Sequence, residues 1–426
     1  MKRANLETVE ALTLTNARLI DPETDRVFDG GLVIENGRIR EIFEGPRPGL
    51  DCHGKCLAPG IIDIGVKIGE PGERHKESFR TGGAAAAAGG VTTIVTRPDT
   101  DPPIDEPERL EFLLRRAVGA SPVNVLPMAA LTKGRIGREM TEIGFLMDAG
   151  AVAFTDARAV ADPRVFQRCL TYAAGLGALV IGHPQDPALT AGACMTSGQY
   201  ASRLGLPAVS PIAERIGLER DLALVEATGA RYHADQISTA HSLPALQRAK
   251  AAGLAVTAGA SIHHLTLNEL DVGDYRTFFK LTPPLRSEDD RVAMVDALRI
   301  GLINIVGSFH TPQDEEDKRL PFEQAAPGAV GLETLLPAAM QLHHAGLPLP
   351  LLWRALSLNP ARLLGLHSGR LASGAPADLV LFDAGAPFVL DRATLRSKSK
   401  NTPYDLRRMQ GRVLRTWVAG AEVYAR

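Results

Sequence analysis

The stretch that decides the fold is residues 61–73, IIDIGVKIGEPGE. Its apolar residues recur at every second position: Ile62, Ile64, Val66 and Ile68. The residues between them form the other set: Asp63, Gly65 and Lys67. A period of two is typical of a β-strand, whose successive side chains point to opposite faces. The stretch therefore predicts a strand with one apolar face and one face that carries charge.

Seven more apolar runs follow the first, and helix-like segments lie between them. The eight runs are residues 61–68, 91–96, 123–131, 151–155, 178–181, 231–238, 254–258 and 303–306. The helix-like segments include residues 107–117, 138–148, 163–175, 210–227, 242–252 and 288–299. Strands that alternate with helices indicate parallel βα units, and eight such units predict an α/β fold of the (β/α)8 TIM-barrel type.

The first strand predicts an unusual barrel interior. Its apolar face is expected to meet the surrounding helices, so Asp63, Gly65 and Lys67 are expected to point into the barrel. Burying an ammonium group costs several kcal/mol unless the group is paired. Lys67 therefore needs an acidic partner.

Both ends of the chain contain short strand-like segments. They are residues 12–20, 32–34 and 38–43 at the first end and 377–382, 413–418 and 422–424 at the second. Asn36–Gly37 suits the two central positions of a type I′ hairpin turn. We therefore predict a composite β-sandwich made of residues 1–58 and 366–426, attached to a barrel over residues 59–365.

Composition and charge argue against several classes of protein. The chain has 47 Lys and Arg against 49 Asp and Glu, a net charge of −2, so we expect neither a nucleic-acid nor a membrane partner. No run of 18 apolar residues occurs, and residues 1–8 (MKRANLET) lack the apolar core of a signal peptide. Four scattered cysteines indicate neither a zinc ribbon nor a disulfide framework. We expect a cytoplasmic protein.

Five stretches of the sequence resemble dihydroorotases of the cyclic amidohydrolase family. They begin PGIIDIGVKIGEPGE at residue 59, HPQD at 183, LTPPLRSEDDR at 281, HTPQDEEDK at 310 and SKNTPYD at 399. These motifs are colinear with the family and cover nearly the whole chain. The resemblance implies a metal-dependent barrel with an attached β-sandwich, which agrees with the periodicity.

The resemblance also implies metal ligands that this sequence has largely lost. The family needs His-x-His on the first strand, an acidic or carboxylated-lysine ligand after the fourth, histidines after the fifth and sixth, and an aspartate after the eighth. At these positions the sequence has Gly65, Lys67, Asp156, His183, Gln236 and Val306. The family's metal ions activate water, and its last aspartate moves the proton. We therefore expect no catalytic residue and no metal or other cofactor, with Asp156 and His183 as remnant ligand positions.

The sequence offers few substitute ligands. None of its eleven histidines forms a His-x-His pair, and the adjacent histidines at 263–264 and 343–344 are expected at a surface or an interface. Zinc takes three or four ligands, whereas Asp156 and His183 supply two. We hypothesise that Lys67 pairs with Asp156. The pair would be either part of a working site or an ion pair in a vacated metal pocket, and the missing ligands favour the second.

Positions that the resemblance assigns to substrate binding have changed as well. Gly69 replaces an arginine of the family, while Asp99 and Thr282 replace asparagines. An anionic substrate would lose a bidentate partner at Gly69. The predicted residual pocket comprises Lys67, Asp99, Asp156, His183 and His310.

The sequence thus resembles the noncatalytic dihydroorotase-like subunits of some bacteria. That resemblance implies a pseudoenzyme of pyrimidine biosynthesis that assembles with the catalytic chain of aspartate transcarbamoylase and with copies of itself. One alternative is an active, zinc-dependent cyclic amidohydrolase with a remodelled site that uses Asp156, His183 and Lys67. Another is a sensor that binds a small molecule in the vacated pocket.

Overall fold

The structure, a computed structural model, describes residues 11–426. Residues 1–8, on which the expectation about a signal peptide depends, lie outside the described residues. Between residues 11 and 426, no helix has both the length and the apolar character needed to cross a bilayer.

The strands of the structure fall into a terminal group and a central group. The terminal strands are β1 (Leu12–Asp21), β2 (Arg26–Glu35), β3 (Arg38–Glu44), β4 (Leu50–Asp51), β5 (Cys56–Pro59) and, after the central group, β16 (Leu379–Val389), β17 (Arg408–Val418) and β18 (Ala421–Ala425). The central strands are β6 (Ile61–Val66), β7 (Val91–Thr96), β8 (Asn124–Ala129), β9 (Ala153–Phe154), β10 (Leu179–Gly182), β11 (Met195–Thr196), β12 (Ala208–Val209), β13 (Arg231–Ala234), β14 (Val256–Ser261) and β15 (Ile305–Gly307).

Helices connect the central strands. They are α1 (Phe79–Ala88), α2 (Pro107–Ala120), α3 (Ile143–Asp148), α4 (Pro163–Leu176), α5 (Pro187–Thr190), α6 (Gln199–Leu204), α7 (Ile212–Thr228), α8 (Leu243–Ala251), α9 (Ile262–Thr266), α10 (Glu288–Arg299), α11 (Glu315–Arg319), α12 (Leu335–His344), α13 (Leu349–Trp353) and α14 (Asn359–Leu364). Asp162 caps the N-terminus of α4, and Gly177, with φ of 67°, ends it in the left-handed conformation. Both residue types favour these helix boundaries.

Eight of the central strands form a parallel barrel. They lie in the order β15, β14, β13, β10, β9, β8, β7 and β6. The predicted (β/α)8 fold is confirmed, and each of the eight predicted strands exists. The predicted bounds differ by a few residues; β13, for example, ends at Ala234 because the chain turns at Gln236, whose φ is 53°.

Hydrogen bonds join the first barrel strand to the segment that follows the last. The backbone N–H of Ser308 donates to Asp63 Oδ1 at 2.8 Å, and the Ser308 hydroxyl donates to the other carboxylate oxygen. The N–H of Lys67 donates to the carbonyl of His310 at 2.8 Å. Asp63 is fully buried, and this burial raises its pKa to about 6 although the bonds from Ser308 act in the opposite direction. Asp63 thus has a structural role in closing the barrel.

The prediction of which side chains of the first strand meet the helices is wrong for the first half of the strand. Ile62 and Ile64 do not meet the helices, because they pack inside the barrel with apolar residues of other strands: Val95, Met128, Ala153, Leu179, Ile181 and Ile305. We call this cluster the barrel floor. A bulge after Ile64 and a φ of 91° at Gly65 then shift the alternation. Val66 consequently packs with the helices, and Lys67 points to the opening of the barrel.

Strands from both ends of the chain pair in one mixed sheet. Its order is β18, β17, β16, β5, β1, β2 and β3, with β4 beside β1. Asn36 and Gly37 both have positive φ, 51° and 76°, in the turn between β2 and β3. The sheet packs on the barrel where the Trp353 ring stacks on Phe382 at 4.8 Å between ring centroids. Trp353 Nε1 also donates to the carbonyl of Pro59 at 2.9 Å, next to the first barrel strand.

Candidate functional site

A cavity of about 440 Å³ opens at the carboxyl ends of the barrel strands, where the catalytic residues of such barrels lie. We call it the mouth pocket. Its wall includes side chains that follow five different barrel strands: Lys67, Arg97, Asp99, Ala157, His183 and Gln236. Four of the predicted residues therefore come together here: Lys67, Asp99, His183 and Gln236.

Gly65 fits a narrow space beside the mouth pocket. Its φ of 91° favours glycine, and a Cβ atom at this position would lie 2.8 Å from the ring of Phe309. Real side chains do not approach a ring carbon this closely. A histidine at position 65, which the family has, would therefore collide with Phe309.

Lys67 does not pair with Asp156, so that hypothesis is wrong. Its Nζ lies 2.6 Å from Glu73 Oε2 and 3.8 Å from Asp99 Oδ2. Burial alone would raise the pKa of Glu73, but the hydrogen bonds and charges of Lys67 and Lys76 outweigh it and lower that pKa. Glu73 follows Lys67 by only six residues, in the loop after β6. The partner of the buried ammonium is therefore local in the sequence.

Asp156 is turned away from the mouth pocket, which corrects its expected place there. One carboxylate oxygen accepts from the N–H groups of Leu131 and Thr132 at 3.0 and 2.9 Å, and the other accepts from the Thr132 hydroxyl. Burial nevertheless raises its pKa. The next residue, Ala157, lines the pocket instead. The carboxylate thus fixes the loop after β8 and offers nothing to a ligand in the pocket.

Arg97 was missed in the sequence analysis, although it lies in the middle of the site. Its Nε and Nη2 each lie 3.2 Å from an oxygen of Asp99, and Nη2 also donates to Thr311 Oγ1 at 3.2 Å. The sequence does indicate this position, because a charged residue, Arg97, directly follows the fully buried strand VTTIVT. In a barrel, that position lies at the catalytic end.

His183 lines the mouth pocket as an uncharged imidazole. Its burial lowers the pKa to about 4, with Arg97 acting in the same direction and Glu214 in the opposite one. Gln236, which follows the neighbouring strand β13, also lines the pocket. Glu214, which is fully buried behind these residues, accepts hydrogen bonds from Gln185 and Ser238 and has Arg286 Nη2 at 3.7 Å. It is therefore already paired.

Two other predicted positions lie outside the mouth pocket. Val306 is the middle residue of β15 and packs in the apolar core with the helices. Phe309, whose φ is 48°, borders a small cavity next to the mouth pocket, and Thr311 lines the mouth pocket itself. His310 is fully buried and faces the opposite side, where its Nδ1 accepts from the N–H of Gly331 and its Nε2 lies 3.4 Å from Glu77.

The adjacent histidines 263 and 264 are buried, so their expected surface position is wrong. Nδ1 of His263 lies 3.3 Å from Tyr404 Oη, and Nε2 of His264 lies 3.2 Å from the carbonyl oxygens of Pro283 and Pro284. Both rings border a second cavity of about 30 Å³ next to the mouth pocket. Burial lowers their pKa values to about 3 and 4.

The side chains of the site do not fit the metal centre that the fold family implies. Among residues 11–426, no three His, Cys, Asp or Glu side chains are grouped so that they could hold a metal ion. A zinc site takes three or four such ligands. In the mouth pocket, His183 is one candidate ligand, and Asp99 is engaged by Arg97. Lys67 occupies one of the implied ligand positions, and Arg97 adds a second cation to the pocket wall.

The fold and the sequence also have close counterparts among known proteins. The dihydro-orotase-like family matches residues 54–242, and the amidohydrolase family matches residues 339–424. The dihydroorotase of Wolbachia sp. subsp. Drosophila simulans (strain wRi) is 38% identical over 423 residues, which cover 97% of this chain and 96% of the relative. The dihydroorotase of Anaplasma phagocytophilum (strain HZ) is 39% identical over 422 residues, covering 96% and 94%. The chain belongs to the dihydroorotase-like amidohydrolase family.

A solved structure gives the same fold. The L-hydantoinase (dihydropyrimidinase) from Arthrobacter aurescens superimposes with a TM-score of 0.88 over 97% of this chain and 96% of that one, at 23% sequence identity. This likeness confirms the barrel with its attached sheet.

Proposed function

We propose that this chain is a noncatalytic dihydroorotase-like protein that serves as an assembly subunit in pyrimidine biosynthesis. One observation carries the proposal: in the mouth pocket Lys67 stands at a position where the resemblance implies a metal ligand, with a second cation, Arg97, in the same wall. Hydrolysis of a cyclic amide requires a polarised carbonyl and an activated water. An ammonium and a guanidinium, each engaged by a carboxylate, supply no base for that water.

The other ionisable groups near the pocket support the same interpretation. His183 has a pKa near 4, so it is a weak base at neutral pH. Asp99 is held by Arg97 and lies 3.8 Å from the Lys67 ammonium. Asp156, the remaining carboxylate of the family's ligand set, is bonded to the loop after β8.

The proposed partners are the catalytic chain of aspartate transcarbamoylase and further copies of this chain. This part of the proposal is supported by the resemblance to noncatalytic dihydroorotase-like subunits alone. Retention of the barrel, its closure at Asp63 and the terminal sheet are consistent with a role that needs the fold without the chemistry.

The first test is zinc content and turnover of the purified protein. We expect zinc far below one ion per chain, because the site lacks the three or four ligands that zinc takes, and no conversion of dihydroorotate or carbamoyl aspartate above background. An active dihydroorotase purified in parallel is the control. Stoichiometric zinc, together with turnover that a chelator abolishes, would overturn the proposal.

The second test addresses the partner. The chain is co-expressed with aspartate transcarbamoylase of the same organism, and the complex is isolated through a tag on either protein. We expect both chains in one peak of fixed stoichiometry, and higher transcarbamoylase activity than without this chain. Separate peaks and unchanged activity would refute the assembly role.

An active cyclic amidohydrolase with a remodelled site is the second candidate, and a specific observation favours it. Relatives that are 38–39% identical over nearly the full length carry the name dihydroorotase. Such an enzyme would act through Lys67 and His183, because Asp156 does not reach the pocket. Turnover in the presence of added zinc that is lost in Lys67→Met and kept in Arg319→Gln, a change at the exposed end of α11, would select this candidate.

A further inference from the structure

A second cavity, of about 560 Å³, lies away from the mouth pocket, beside the amino end of β8. Residues 123–126 and one face of α2 line it from the barrel, and residues 366–368 line it after α14. Arg38 and Asp378 line it from the terminal sheet. We call it the junction cavity, because the barrel and the terminal sheet both contribute to its wall.

Part of the wall of the junction cavity is apolar. Leu114 and Val118 lie one turn apart on α2, so their side chains share one face of that helix. Leu126 and Leu366 also line the cavity, and both pack against the barrel floor. Each of these four side chains is only half-buried. An apolar ligand would cover the rest of their surface, which is favourable in water.

The wall also contains a cation whose charge is not balanced. Arg38, the first residue of β3, donates from Nη1 to the carbonyl of Gly374 at 2.7 Å. It has no ion pair with any residue between 11 and 426. The remaining N–H groups of its guanidinium are therefore available to an anion.

Ser368 adds a second polar group without a partner. Its side chain is nearly buried, and its hydroxyl makes no hydrogen bond within the part of the chain that the structure describes. A buried polar group without a hydrogen bond costs free energy. The position of Ser368 in the cavity wall therefore favours a ligand with a polar atom.

The carboxylate of Asp378 restricts the charge of that ligand. It accepts from the N–H of Ala419 at 2.7 Å and from Asn124 Nδ2 at 3.1 Å, so it connects the terminal sheet with β8. Its negative charge lies in the cavity wall and repels a ligand with two negative charges. With one guanidinium and one carboxylate in its wall, the cavity suits a monoanion better than a dianion.

We propose that the junction cavity binds a monocarboxylate with an apolar body, of the size of a medium-chain fatty acid. The fork of N–H groups on Arg38 matches the two carboxylate oxygens, and the hydrocarbon covers Leu114, Val118 and Leu126. Sites for small molecules have this size and this mainly apolar wall, and they occur preferentially where domains meet. The inference goes beyond the proposed function, because it concerns another cavity and requires no reaction.

The test is calorimetric titration of the full chain at pH 7.5 and constant ionic strength. The probes are hexanoate, octanoate, the uncharged 1-octanol and octyl phosphate. We expect octanoate to bind at one site, about tenfold more tightly than hexanoate, because two more methylene groups are buried. 1-Octanol lacks the charge that pairs with Arg38, and octyl phosphate carries a second charge, so both should bind more weakly than octanoate.

The same titrations can refute the proposal. Absence of octanoate binding overturns it outright. Binding of 1-octanol as tight as that of octanoate would exclude a role for the charge of Arg38. Tighter binding of octyl phosphate would contradict the preference for a monoanion.

Charge variants locate the site. Arg38→Gln should weaken octanoate binding by about tenfold, the loss expected for one charge-assisted pair. Arg40→Gln is the matched control, because it removes the same charge from the same strand outside the cavity wall. It should leave the affinity within about twofold, since exposed charges are screened. Equal effects of the two variants would show unspecific attraction and refute the site.

A variant that fills the cavity gives an independent measurement. Val118→Phe places an aromatic ring in the space assigned to the hydrocarbon and should weaken octanoate binding by more than about tenfold. Circular dichroism and thermal unfolding check that this variant is folded. Unchanged octanoate binding in folded Val118→Phe would refute the site. These titrations involve neither turnover nor a partner chain, so their failure is distinct from failure of the noncatalytic proposal.

Discussion

The barrel floor and the mouth pocket lie in the same barrel and differ in almost every property. The floor consists of apolar side chains from most of the strands, such as Ile64, Met128 and Ile181, each nearly inaccessible to solvent. The mouth holds Lys67 and Arg97 around an open cavity. The residues that specify the fold, in the floor, are therefore separate from those at the mouth pocket, which would carry out a reaction. The barrel can therefore form whichever side chains stand at the mouth.

The strongest test of this difference is to truncate one apolar side chain in each region and compare the losses of stability. Ile64→Ala in the floor should cost about 2–5 kcal/mol, because a buried cavity forms among rigid strands. Leu281→Ala in the wall of the mouth pocket should cost at most about half of that, since one side of Leu281 already faces a cavity. Urea unfolding followed by circular dichroism measures both. Equal losses would mean that the mouth is as important for stability as the floor.

Acidification should lower the stability of the protein through His183, the buried histidine of the mouth pocket. The folded-state pKa of His183, about 4, is below its unfolded value of 6.5. The unfolded chain therefore binds more protons between these values, and stability falls as the pH drops from about 6.5 to 4. His183→Asn should make this loss smaller by a few kcal/mol. At pH 8 the imidazole is uncharged in both states, so the two proteins should differ there only by a constant offset. Parallel stability curves below pH 6.5 would contradict the prediction.

Substitution at Gly65 tests the boundary between the two regions. Gly65→Ala should cost about 1–3 kcal/mol, because φ is 91° and the new Cβ would meet the Phe309 ring. Gly175→Ala in α4 is the matched control; nothing lies within 4 Å of its added methyl group, and the change should stabilise the helix by roughly 0.5–1 kcal/mol. The combination with Phe309→Ala should recover part of the loss at position 65. Thermal unfolding compares the three proteins.

The smallest effect is expected in the charged loops above the pocket. Lys76 connects Glu73 with Asp317 and Gln313, each through a contact of 3.1 Å. Lys76→Met should cost about 1 kcal/mol in global unfolding free energy, near the upper end for surface ion pairs because the Lys76 side chain is only partly exposed, while hydrogen exchange in residues 311–318 rises. Arg248→Gln, which removes an exposed pair with Glu219 between α8 and α7, should change neither quantity. A loss of unfolding free energy as large as that of Ile64→Ala would contradict the distinction between the barrel floor and the mouth pocket.

Much of the barrel could be predicted from the sequence, but the direction of individual side chains could not. Apolar runs and helix-like segments indicate the eight strands because burial on both faces requires them. The faces of the first strand were assigned wrongly because a bulge and the positive φ of Gly65 shift the period of two. Nothing in the alternation of apolar residues reveals such a bulge.

The site was only partly predictable for the same reason. Lys67, Asp99, His183 and Gln236 were placed correctly at the mouth pocket, since strand ends converge there. Whether Asp156 or its neighbour Ala157 faces the pocket depends on one turn of the backbone, where Ala157 has a φ of 51°. Such a turn is set by packing between distant segments.

Under the proposed noncatalytic function, the contact between Phe309 and Gly65 limits how a metal centre could form in this chain. A histidine introduced at position 65 meets the aromatic ring, and a smaller residue at 309 alone restores no ligand. Neither change is useful without the other, and the first is harmful by itself. Under that proposal, a metal centre here would need at least two coordinated substitutions, and the contact would act as an evolutionary ratchet.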